Sequence, residues 1–478
     1  MKKSLYVLLT LGFVQSVFGQ PIYSTGLEFN DALNAKMPVR KQARNRGGTL
    51  PAKVSLKAYC PTPQQQGIYS NCVGWAVGYA ACTISEAIVS EALTDKRLNI
   101  KAIDAIATSP TYIYARLKPK KDNDCSSKTG MDQILTELKG TVLPRYQDFR
   151  EACSVPTEAA KPFSTGVQIA HFMSLFRASD PKKQKLYAIK QTLANKKPVV
   201  IGIWHYKSFE KAKKVWSGDL SKYAGSGHAV CLTGYDDTFE GGGAVEVMNS
   251  WGTDWGESGF SKIRYKDLDT ILKYAFEITL DDGALPRQTA LTHPKDTFFK
   301  ASILLKSIPD AADMPLLSNV NNPSKPIGAH FQLEKPYRSG AKYQAVMDHS
   351  EPIYLYVLSS DLTGQLDCLF PAQAVISPFL TNPNASFTLP NEEWYIESDD
   401  RVGKDYLIFL ASKTELPIAD WVDEWNALST PALDKIYISL SSKIQPFKTI
   451  DIVQNKILFK SKLEKDKIIV LSVEMGHE

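Results

Sequence analysis

QGIYSNCVGWA, residues 66–76 of this 478-residue chain, opens a long apolar run. From residue 72 to residue 93 there is no Pro, and the small and apolar residues predict a buried helix that begins at Cys72. Unpaired backbone N–H groups and the positive end of the helix dipole favour an anion there. A thiol at such a site ionises more easily, and the thiolate is the nucleophilic form. Taken alone, the stretch fits a buried structural Cys or a half-cystine as well as a nucleophile.

Two later segments supply groups that could act on such a thiol. The first, GSGHAVCLTGY at residues 225–235, is a glycine turn that leads into a strand-like run with His228 at its start. The second, VEVMNSWGTDWG at residues 245–256, predicts a strand that delivers Asn249, with Trp251 two residues later. A cysteine nucleophile, an imidazole base and a polar group that orients the base are the parts of an activated-nucleophile catalyst. Together the three segments predict a catalytic cysteine site.

The order and spacing of these motifs resemble the papain-like cysteine peptidases. Gln66 stands six residues before Cys72, a Gly-His-Ala-Val strand follows, and an Asn-Ser-Trp-Gly-x-x-Trp-Gly motif completes the set. Residues 50–56, LPAKVSL, also resemble the start of the mature chain in that family. The resemblance covers roughly residues 50–280.

Some positions depart from the family pattern. Val73 follows the candidate nucleophile where many members have Trp, and Trp75 comes two places later, as in bacterial-type members. Tyr69 stands where a disulfide-forming Cys often precedes the nucleophile, so that bridge should be absent. By resemblance, Thr129 and Gly130 lie near the substrate cleft, although the usual double glycine is missing.

The resemblance implies a role for each residue of the site. His228 takes the proton of Cys72, Asn249 accepts from the other imidazole nitrogen, and Trp251 shields that hydrogen bond from water. The Gln66 side chain and the Cys72 backbone N–H bind the developing oxyanion. The implied activity is hydrolysis of peptide bonds in protein or peptide substrates. The cleft sequence leaves open a thiol-dependent amidase or transamidase acting on non-protein or cell-wall amides, and a catalytically silent papain-like binding protein.

Length and composition indicate more than one domain and an exported protein. A chain of 478 residues is too long for one ordinary domain, and its net charge of +5 gives no reason to expect nucleic acid. Residues 1–19 begin with lysines, continue through an apolar run and end in Val-Phe-Gly, which predicts a cleaved signal peptide and a secreted or periplasmic location. A membrane anchor needs about 18 or more apolar residues, and the run within residues 1–19 is shorter; no later segment is expected to be long and apolar enough to span a bilayer.

The rest of the chain divides into four parts. Residues 20–49 are a short lead-in or reduced pro-segment, and little in them is expected to fill a cleft. Residues 50–285 should adopt the two-lobe papain-like fold of class α+β, in which a helical lobe and a β-barrel-like lobe meet at a cleft. Residues 286–324 are rich in Pro, Asp, Asn and Thr and predict a linker. Residues 325–478 contain short alternating strands and predict a β-rich, sandwich-like accessory domain.

The accessory domain carries no nucleophile–base set that its sequence makes visible. It is similar to a small, uncharacterised β domain that bacterial secreted and surface proteins append to peptidase or kinase domains. His330 and His349 are expected at its surface, and a helix is predicted at residues 419–428. Binding of another protein or of a surface component is the expected role.

Seven cysteines in an exported chain are an odd number. If the candidate nucleophile stays free, six cysteines remain, and Cys125 with Cys153 is the favoured pair because both lie in loops of one lobe. Cys231 is expected to be buried in a strand, and Cys368 stands alone in the accessory domain. No Cys or His spacing suggests a metal site, and no cofactor is expected.

Overall fold

A computed structural model describes most of the chain. The described residues are 23–41, 44–45, 49–138, 140–150, 153, 163–281, 298–317, 328–383, 385–391 and 394–478. The predicted signal peptide, residues 1–19, lies outside them, as do parts of the predicted lead-in and linker.

A long helical segment at the centre of the N-terminal half carries Cys72 as its first residue. It starts as an α-helical turn, continues as a π-helix and ends as an α-helix, with the bounds Cys72–Gly74, Trp75–Cys82 and Thr83–Thr94. A Cβ added at Gly74 would lie 2.1 Å from the carbonyl oxygen of Pro110, and one at Gly78 would lie 2.6 Å from the Ile113 side chain. Glycine at both positions therefore lets this segment pack closely against the helix that begins at Pro110.

Among the described residues, the other helices of the N-terminal half run from four to 13 residues. They are the α-helices Asp31–Asn34, Ile100–Ile106, Pro110–Leu117, Ile134–Leu138, Lys182–Ala194, Lys207–Glu210 and Tyr265–Ile271, with 3-10 turns at Lys57–Tyr59 and Phe239–Gly241. Asn30, Asn99 and Ser109 each cap one of these helices by accepting a hydrogen bond from a backbone N–H of its first turn.

An antiparallel sheet packs against these helices, and it is called the first sheet below. Its strands, in spatial order, are Ile169–Ser174, Leu272–Leu280, Val199–Tyr206, Tyr223–Asp236, Ala244–Met248 and Phe260–Arg264, and Lys53–Ser55 pairs with Tyr223–Asp236. The register places Cys231 opposite Met248, so that the strands of His228 and Asn249 are direct neighbours. The predicted α+β class, with a helical part and a β-rich part, is confirmed.

The C-terminal half contains two further sheets that pack face to face. The second sheet has the strand order Arg44–Asn45, Ala385–Leu389, Lys342–His349, Phe299–Ile308, Lys456–Ser461 and Thr449–Val453, with Ile396–Glu397 paired to Lys342–His349. The third sheet has the order Leu316–Leu317, Ala329–Leu333, Ile468–His477, Gly403–Ser412, Ile353–Ser360 and Asp367–Phe370, with Phe379–Leu380 paired to Ile353–Ser360. The predicted β-rich, sandwich-like C-terminal region is confirmed.

Helices cover the outer face of the third sheet. They span Ile418–Asn426, close to the predicted helix at residues 419–428, and Ala432–Leu440, which the sequence analysis did not predict. Along the strand Ile353–Ser360, side chains alternate between two cores, as the two-residue repeat of a strand requires. Leu355 faces the core between the sheets, whereas Tyr356 faces the core beneath the helices.

Several expectations about the C-terminal half are wrong. The predicted linker, residues 286–324, contains the strand Phe299–Ile308, which pairs with neighbours on both sides in the second sheet. His349 is buried and its Nδ1 lies 2.8 Å from the carbonyl oxygen of Glu351, so it is not a surface residue. His330 is half-buried, with Nδ1 2.9 Å from the Ser472 hydroxyl. The pairing of strands distant in sequence, which short alternating patterns do not encode, explains these errors.

One helix contradicts the expectation about membrane-spanning segments. Among the described residues, Cys72–Ala92 has 21 residues and a mean hydropathy of 1.4, which is long and apolar enough to cross a membrane by length and composition. In this structure 83% of its most apolar window is buried inside the protein.

The cysteines follow the predicted pattern in part. Cys125 and Cys153 form a disulfide, as predicted. The others are present as free thiols, namely Cys60, Cys72, Cys82, Cys231 and Cys368. Cys231 is fully buried in its strand, which confirms that expectation.

Candidate functional site

Cys72 lies at the amino end of its helix and is fully buried. Burial raises the pKa of its thiol to about 12, whereas backbone N–H groups of Ala229, Val73 and Gly26 act in the opposite direction. Several donors thus point at the sulfur, but exclusion of water outweighs them in this state. The sulfur is therefore a thiol at neutral pH in this structure.

His228 and Asn249 are joined by a hydrogen bond on neighbouring strands. The Nε2 atom of His228 lies 2.8 Å from Oδ1 of Asn249, which also accepts from the backbone N–H of Ser250 at 2.8 Å. Since that oxygen is an acceptor, Nε2 must carry the proton of the neutral ring. The other ring nitrogen, Nδ1, is buried without a hydrogen-bond partner among the described residues. Nδ1 is thus the atom left to accept a proton.

Trp251 covers the imidazole of His228. The two rings stack with centroids 4.5 Å apart and an interplanar angle of 15°, and the indole is almost fully buried. Burial lowers the pKa of His228 to about 3, and His205 lowers it further, whereas the hydrogen bond with Asn249 raises it. The imidazole is therefore neutral in this structure, and the site holds a thiol and a neutral ring rather than an ion pair.

Gln66 lies in the same buried site, fixed by Ser250. Its backbone N–H donates to the carbonyl oxygen of Ser250 at 2.8 Å, and its Oε1 accepts from the Ser250 hydroxyl at 2.6 Å. Its Nε2 donates to the carbonyl oxygen of Tyr69 at 3.0 Å. An amide nitrogen has two protons, so this bond leaves one N–H for another acceptor. Ser250 is a positioning residue that the sequence analysis quoted in its motif without giving it a role.

Thr129 lies on the wall of the cleft, whereas Gly130 packs against the side chain of Asp132. Both backbone groups of Thr129 are hydrogen-bonded, the N–H to the carbonyl oxygen of Gly26 at 2.8 Å and the carbonyl oxygen to the N–H of Glu28 at 3.0 Å. A Cβ added at Gly130 would meet Oδ1 of Asp132 at 2.3 Å. Of the two residues predicted near the cleft, Thr129 is the one whose backbone hydrogen-bonds to residues 26 and 28, which lie in the cleft.

The occupant of the cleft is the chain's own segment of residues 23–29, called the cleft segment below. Leu27 pairs with both walls: its N–H donates to the carbonyl oxygen of Gly227 at 3.3 Å, and it forms a parallel bridge with Thr129. The hydroxyl oxygens of Thr25 and Ser226 lie 2.8 Å apart, within hydrogen-bond distance. The expectation that little before residue 50 could fill a cleft is wrong.

The cleft segment also covers Cys72 and the indole of Trp251. The N–H of Gly26 faces the Cys72 sulfur, and a Cβ at Gly26 would lie 2.1 Å from the carbonyl oxygen of Ser70. Trp251 donates its indole N–H to the carbonyl oxygen of Ser24 at 2.8 Å. A backbone donor thus faces the sulfur, and only glycine fits this close approach to the Ser70 carbonyl oxygen. The segment was missed because its contacts are made by backbone atoms, which leave little mark on the sequence.

His205 is a further buried imidazole that the sequence analysis did not single out. Its ring centroid lies 6.1 Å from that of His228 and 5.7 Å from that of Trp251. Burial lowers its pKa to about 4, with a smaller effect from Lys207. Oε1 of Glu210 lies 3.6 Å from its Nε2.

The C-terminal half contains a Ser–His–Asp cluster, contrary to the expectation that it has no nucleophile–base set. The Ser339 hydroxyl lies 3.0 Å from Nε2 of His477, and Oδ2 of Asp405 lies 3.5 Å from Nδ1 of the same ring. Tyr337 donates its hydroxyl to Asp405 at 2.5 Å. Ser339 and His477 are 138 residues apart with no motif around either, so no sequence signal could have found the cluster.

Within the described ranges, no group of three or more His, Cys, Asp or Glu side chains is arranged to hold a metal ion.

Two family profiles match this chain. The profile described as "Papain family cysteine protease" matches residues 102–275, a range that includes His228 and Asn249 and begins after Cys72. The profile described as "Domain of unknown function (DUF4384)" matches residues 336–415.

Curated relatives are similar over different lengths. "Gamete and mating-type specific protein A" of Dictyostelium discoideum is 38% identical over 68 residues, which are 14% of this chain and 14% of that protein. "Cathepsin B-like CP3" of Giardia intestinalis is 24% identical over 51% of this chain and 82% of that protein. "Senescence-specific cysteine protease SAG12" of Arabidopsis thaliana is 25% identical over 35% of this chain and 36% of that protein. The chain thus spans less than two thirds of the first and the third.

Two solved protease structures align with about half of this chain. Xylellain, a cysteine protease from Xylella fastidiosa, aligns with a TM-score of 0.40 at 20% identity, over 53% of this chain and 95% of that one. The bromelain protease from Ananas comosus in complex with the E64 inhibitor aligns with a TM-score of 0.36 at 15% identity, over 48% of this chain and 100% of that one.

Proposed function

Because the chain contains a domain of the papain family of cysteine proteases, we propose that it is a peptidase acting through Cys72, His228, Asn249 and Gln66. Its substrates are proteins or peptides, and the reaction is acyl transfer from the peptide to the Cys72 sulfur and then to water. The resemblance inferred from the sequence is confirmed for this family and for the second, C-terminal domain.

The chemistry begins with proton transfer from Cys72 to Nδ1 of His228. Water must first return to the site, because burial holds the thiol pKa high and the imidazole pKa low in the closed state. Hydration and the donors at the sulfur then favour a thiolate beside an imidazolium, and Asn249 holds the ring through Nε2. The thiolate attacks the carbonyl carbon of the substrate.

The tetrahedral intermediate places a negative oxygen near the helix terminus. The Cys72 backbone N–H and the second Nε2 proton of Gln66 bind this oxygen, and Ser250 holds the Gln66 amide in place. His228 then gives its proton to the leaving amine. Water attacks the thioester, His228 accepts a proton from that water, and the acid product leaves with the thiol restored.

The observation that carries this proposal is the His228–Asn249 hydrogen bond beneath Trp251. The bond fixes the proton on Nε2 and leaves Nδ1 unprotonated, with no hydrogen-bond partner among the described residues, and the Trp251 indole keeps water from the bond. A structural histidine in a core would be expected to use both ring nitrogens. An imidazole held by one nitrogen, with the other buried and free, is the arrangement that a general base requires.

The structure corresponds to a latent form of the proposed enzyme. The cleft segment lies over Cys72 with the Gly26 N–H toward the sulfur, so it covers the site. Residues 20–49 therefore include an inhibitory pro-segment, shorter than the roughly hundred residues often seen in this family. Displacement or cleavage of residues 23–29 gives access to the nucleophile.

The proposed location is outside the cytoplasm. Residues 1–19 have the lysine-rich start, apolar run and small residues of a signal peptide. A disulfide between Cys125 and Cys153 is stable in an oxidising compartment. A secreted or periplasmic peptidase satisfies both observations.

The test is active-site labelling of an opened full-length chain. Gly26→Ala places a methyl group against the Ser70 carbonyl oxygen and should expel the cleft segment. We expect this variant to hydrolyse peptide amides and to be modified by an epoxide-type thiol reagent at Cys72, as located by mass mapping of the peptides.

The matched control is Gly26→Ala combined with Cys72→Ala, which should neither hydrolyse peptides nor react with the reagent at residue 72. Peptide hydrolysis that survives in this double variant would show that another group is the nucleophile. Labelling of Cys72 without hydrolysis of any peptide would refute the peptidase function.

A further inference from the structure

Beyond the cleft, residues 37–41 and 44–45 lie between the two halves of the protein, and they are called the bridging segment below. On the catalytic side this segment lies along Ile169–Ser174, the edge strand of the first sheet. The backbone N–H of Ser174 donates to the carbonyl oxygen of Pro38 at 2.8 Å, and the N–H of Arg40 donates to the carbonyl oxygen of Ser174 at 2.9 Å. The bridging segment therefore extends the first sheet by a short parallel pairing.

Arg40 anchors the bridging segment within the catalytic half. Its guanidinium is buried and lies 3.1 Å from the Glu277 carboxylate, 2.8 Å from the Thr192 hydroxyl and 3.1 Å from the Gln191 side chain. Glu277 is fully buried and also pairs with Lys197 at 2.6 Å. Breaking one partner out of a buried ion pair is strongly destabilising. Arg40 therefore fixes this part of the bridging segment in the buried interior of the catalytic half.

The opposite side of the bridging segment is held by the C-terminal domain. The N–H of Val39 donates to the carbonyl oxygen of Val375 at 2.8 Å, and the N–H of Ser377 donates to the carbonyl oxygen of Val39 at 3.0 Å. The Lys41 ammonium donates to the carbonyl oxygen of Pro390. Three residues after Lys41, Arg44–Asn45 begins, and it pairs antiparallel with the strand Ala385–Leu389 of the second sheet.

The two halves also contact each other directly beside this segment. The Tyr354 hydroxyl lies 2.8 Å from Nε2 of His171, and Phe379 stacks on the same imidazole with centroids 4.0 Å apart. Met173 of the catalytic half belongs to the core beneath the C-terminal helices. The C-terminal domain thus presents a fixed surface, the loop around residues 375–377 and the edge of the second sheet, next to the bridging segment.

We propose that this surface of the C-terminal domain is a binding site for residues 39–41 and 44–45 of the same chain, and that it keeps the cleft closed. An edge strand offers unpaired backbone groups that accept another strand, and the occupant here is the bridging segment. The inference rests on the proposed inhibitory role of the cleft segment and extends it to a domain of unknown function.

The two segments are coupled through a short connection. The helix Asp31–Asn34 is capped by Asn30, and Arg177 donates to the carbonyl oxygens of Asn34 and Met37 at 2.9 and 2.8 Å. There is little slack between the cleft segment and the bridging segment. Binding at residues 39–41 and 44–45 therefore keeps residues 23–29 at a high effective concentration beside the proposed nucleophile, Cys72.

The test compares the same substitution at two lysines of this stretch in the full-length chain. Lys41→Glu replaces the donor to Pro390 with a carboxylate that repels the carbonyl oxygen. Lys36→Glu is the matched control, because Lys36 is exposed and lies one residue before the bridging segment. The readout is the rate at which the epoxide-type reagent labels Cys72. We expect Lys41→Glu to be labelled roughly tenfold faster than Lys36→Glu, which should equal the wild type. Equal rates for the two variants would overturn the proposal.

A second readout does not depend on chemistry at Cys72. The N–H groups of Leu27 and Glu28 are hydrogen-bonded to the cleft walls, so their hydrogen exchange reports closure. We expect faster exchange of residues 24–29 in Lys41→Glu than in Lys36→Glu. If Gly26→Ala accelerates exchange and labelling but Lys41→Glu accelerates neither, the latent peptidase stands and the proposed role of the C-terminal domain is wrong. If Lys41→Glu accelerates exchange but no variant hydrolyses peptides, the binding role stands and the peptidase function is wrong.

Discussion

His228 in the N-terminal half and His477 in the C-terminal half have imidazoles with similar nearest neighbours. Trp251 stacks on the first ring with centroids 4.5 Å apart, and Tyr337 stacks on the second with centroids 5.3 Å apart. Both rings are buried and both have a polar group beside one nitrogen. The difference lies in what surrounds the group that each base would activate.

Around the nucleophile of the first site, donors and walls converge. The Cys72 sulfur stands at a helix terminus, and N–H groups of Val73 and Ala229 point at it from two elements. The opposing walls leave a cleft wide enough for a peptide strand, because residues of the chain itself lie there. A negative charge that develops at this place meets donors already in position.

Around Ser339 the neighbouring donors are already used. The N–H of Gly340 donates to the carbonyl oxygen of Ser398 at 3.2 Å, and the N–H of Ala341 donates to that of Arg338 at 3.0 Å. The serine itself is exposed on a turn. A hydroxyl within reach of an imidazole is therefore not sufficient for catalysis, since the oxyanion also needs unoccupied donors.

The largest expected effect separates the two nucleophiles. In the opened Gly26→Ala chain, adding Cys72→Ala should lower peptide turnover by on the order of 10⁴-fold or more, because residues of a catalytic set act as a unit. Adding Ser339→Ala should leave turnover unchanged. Peptidase assays of both variants measure this. Modification of Ser339 by a serine-directed phosphonate reagent would show that Ser339 is also an activated nucleophile, contrary to this expectation.

A smaller effect is expected from the group that orients His228. Asn249→Ala removes a hydrogen bond to a ring that becomes charged, and such bonds contribute about 1.5–3 kcal/mol. This corresponds to roughly 10- to 150-fold in rate. Turnover and melting temperature should be measured together in the opened chain. Normal turnover per folded molecule with only a lowered melting point would give Asn249 a purely structural role.

The pH dependence of stability tests the burial of the two imidazoles near Trp251. His228 and His205 have pKa values of about 3 and about 4 in the folded protein, against about 6.5 in the unfolded chain. Between those values the unfolded chain binds protons that the folded protein does not, so stability is lost as the pH falls. From pH 7 to pH 5 each imidazole should account for about 2 kcal/mol.

Thermal unfolding at both pH values measures this effect. His205→Gln should unfold with a visibly smaller shift between pH 7 and pH 5, because one of the two groups no longer titrates. The same shift in this variant and in the wild type would mean that His205 is hydrated in the folded protein.

The smallest expected effect concerns Trp251. Trp251→Phe keeps an aromatic ring over His228 and loses the indole N–H that donates to Ser24. In the closed wild-type background we expect labelling of Cys72 to become about two- to tenfold faster, since a neutral hydrogen bond contributes about 0.5–1.5 kcal/mol. Turnover of the opened chain should change by less than about threefold. A large loss of turnover would show that the indole N–H itself binds substrate.

The sequence predicted the parts of the site whose chemistry needs particular side chains at fixed spacing. Cys72, His228 and Asn249 stand in recognisable motifs, and the structure brings the last two into hydrogen-bond contact. The disulfide of Cys125 with Cys153 followed from their positions in loops of one lobe. Such features are local, or they depend on a residue type that few others can replace.

The parts that were missed depend on backbone atoms or on distant pairing. The cleft segment binds through the N–H of Leu27 and the carbonyl oxygen of Gly26, which almost any sequence provides. The strand Phe299–Ile308 was taken for linker because its partners, Lys342–His349 and Lys456–Ser461, lie far along the chain. Composition around a strand does not reveal the sheet that it will join.

The contact between Lys41 and Pro390 joins residues 349 positions apart, and this distance sets the order of events during synthesis. Domains generally fold as units with the N-terminal one first, so the catalytic half is complete while the C-terminal half is still being made. During that interval contacts within the catalytic half, such as the pairing of Leu27 with Gly227 and Thr129, cover Cys72. The cleft contacts therefore protect the nascent chain, and the contacts across the two halves take over once the last strands have been added.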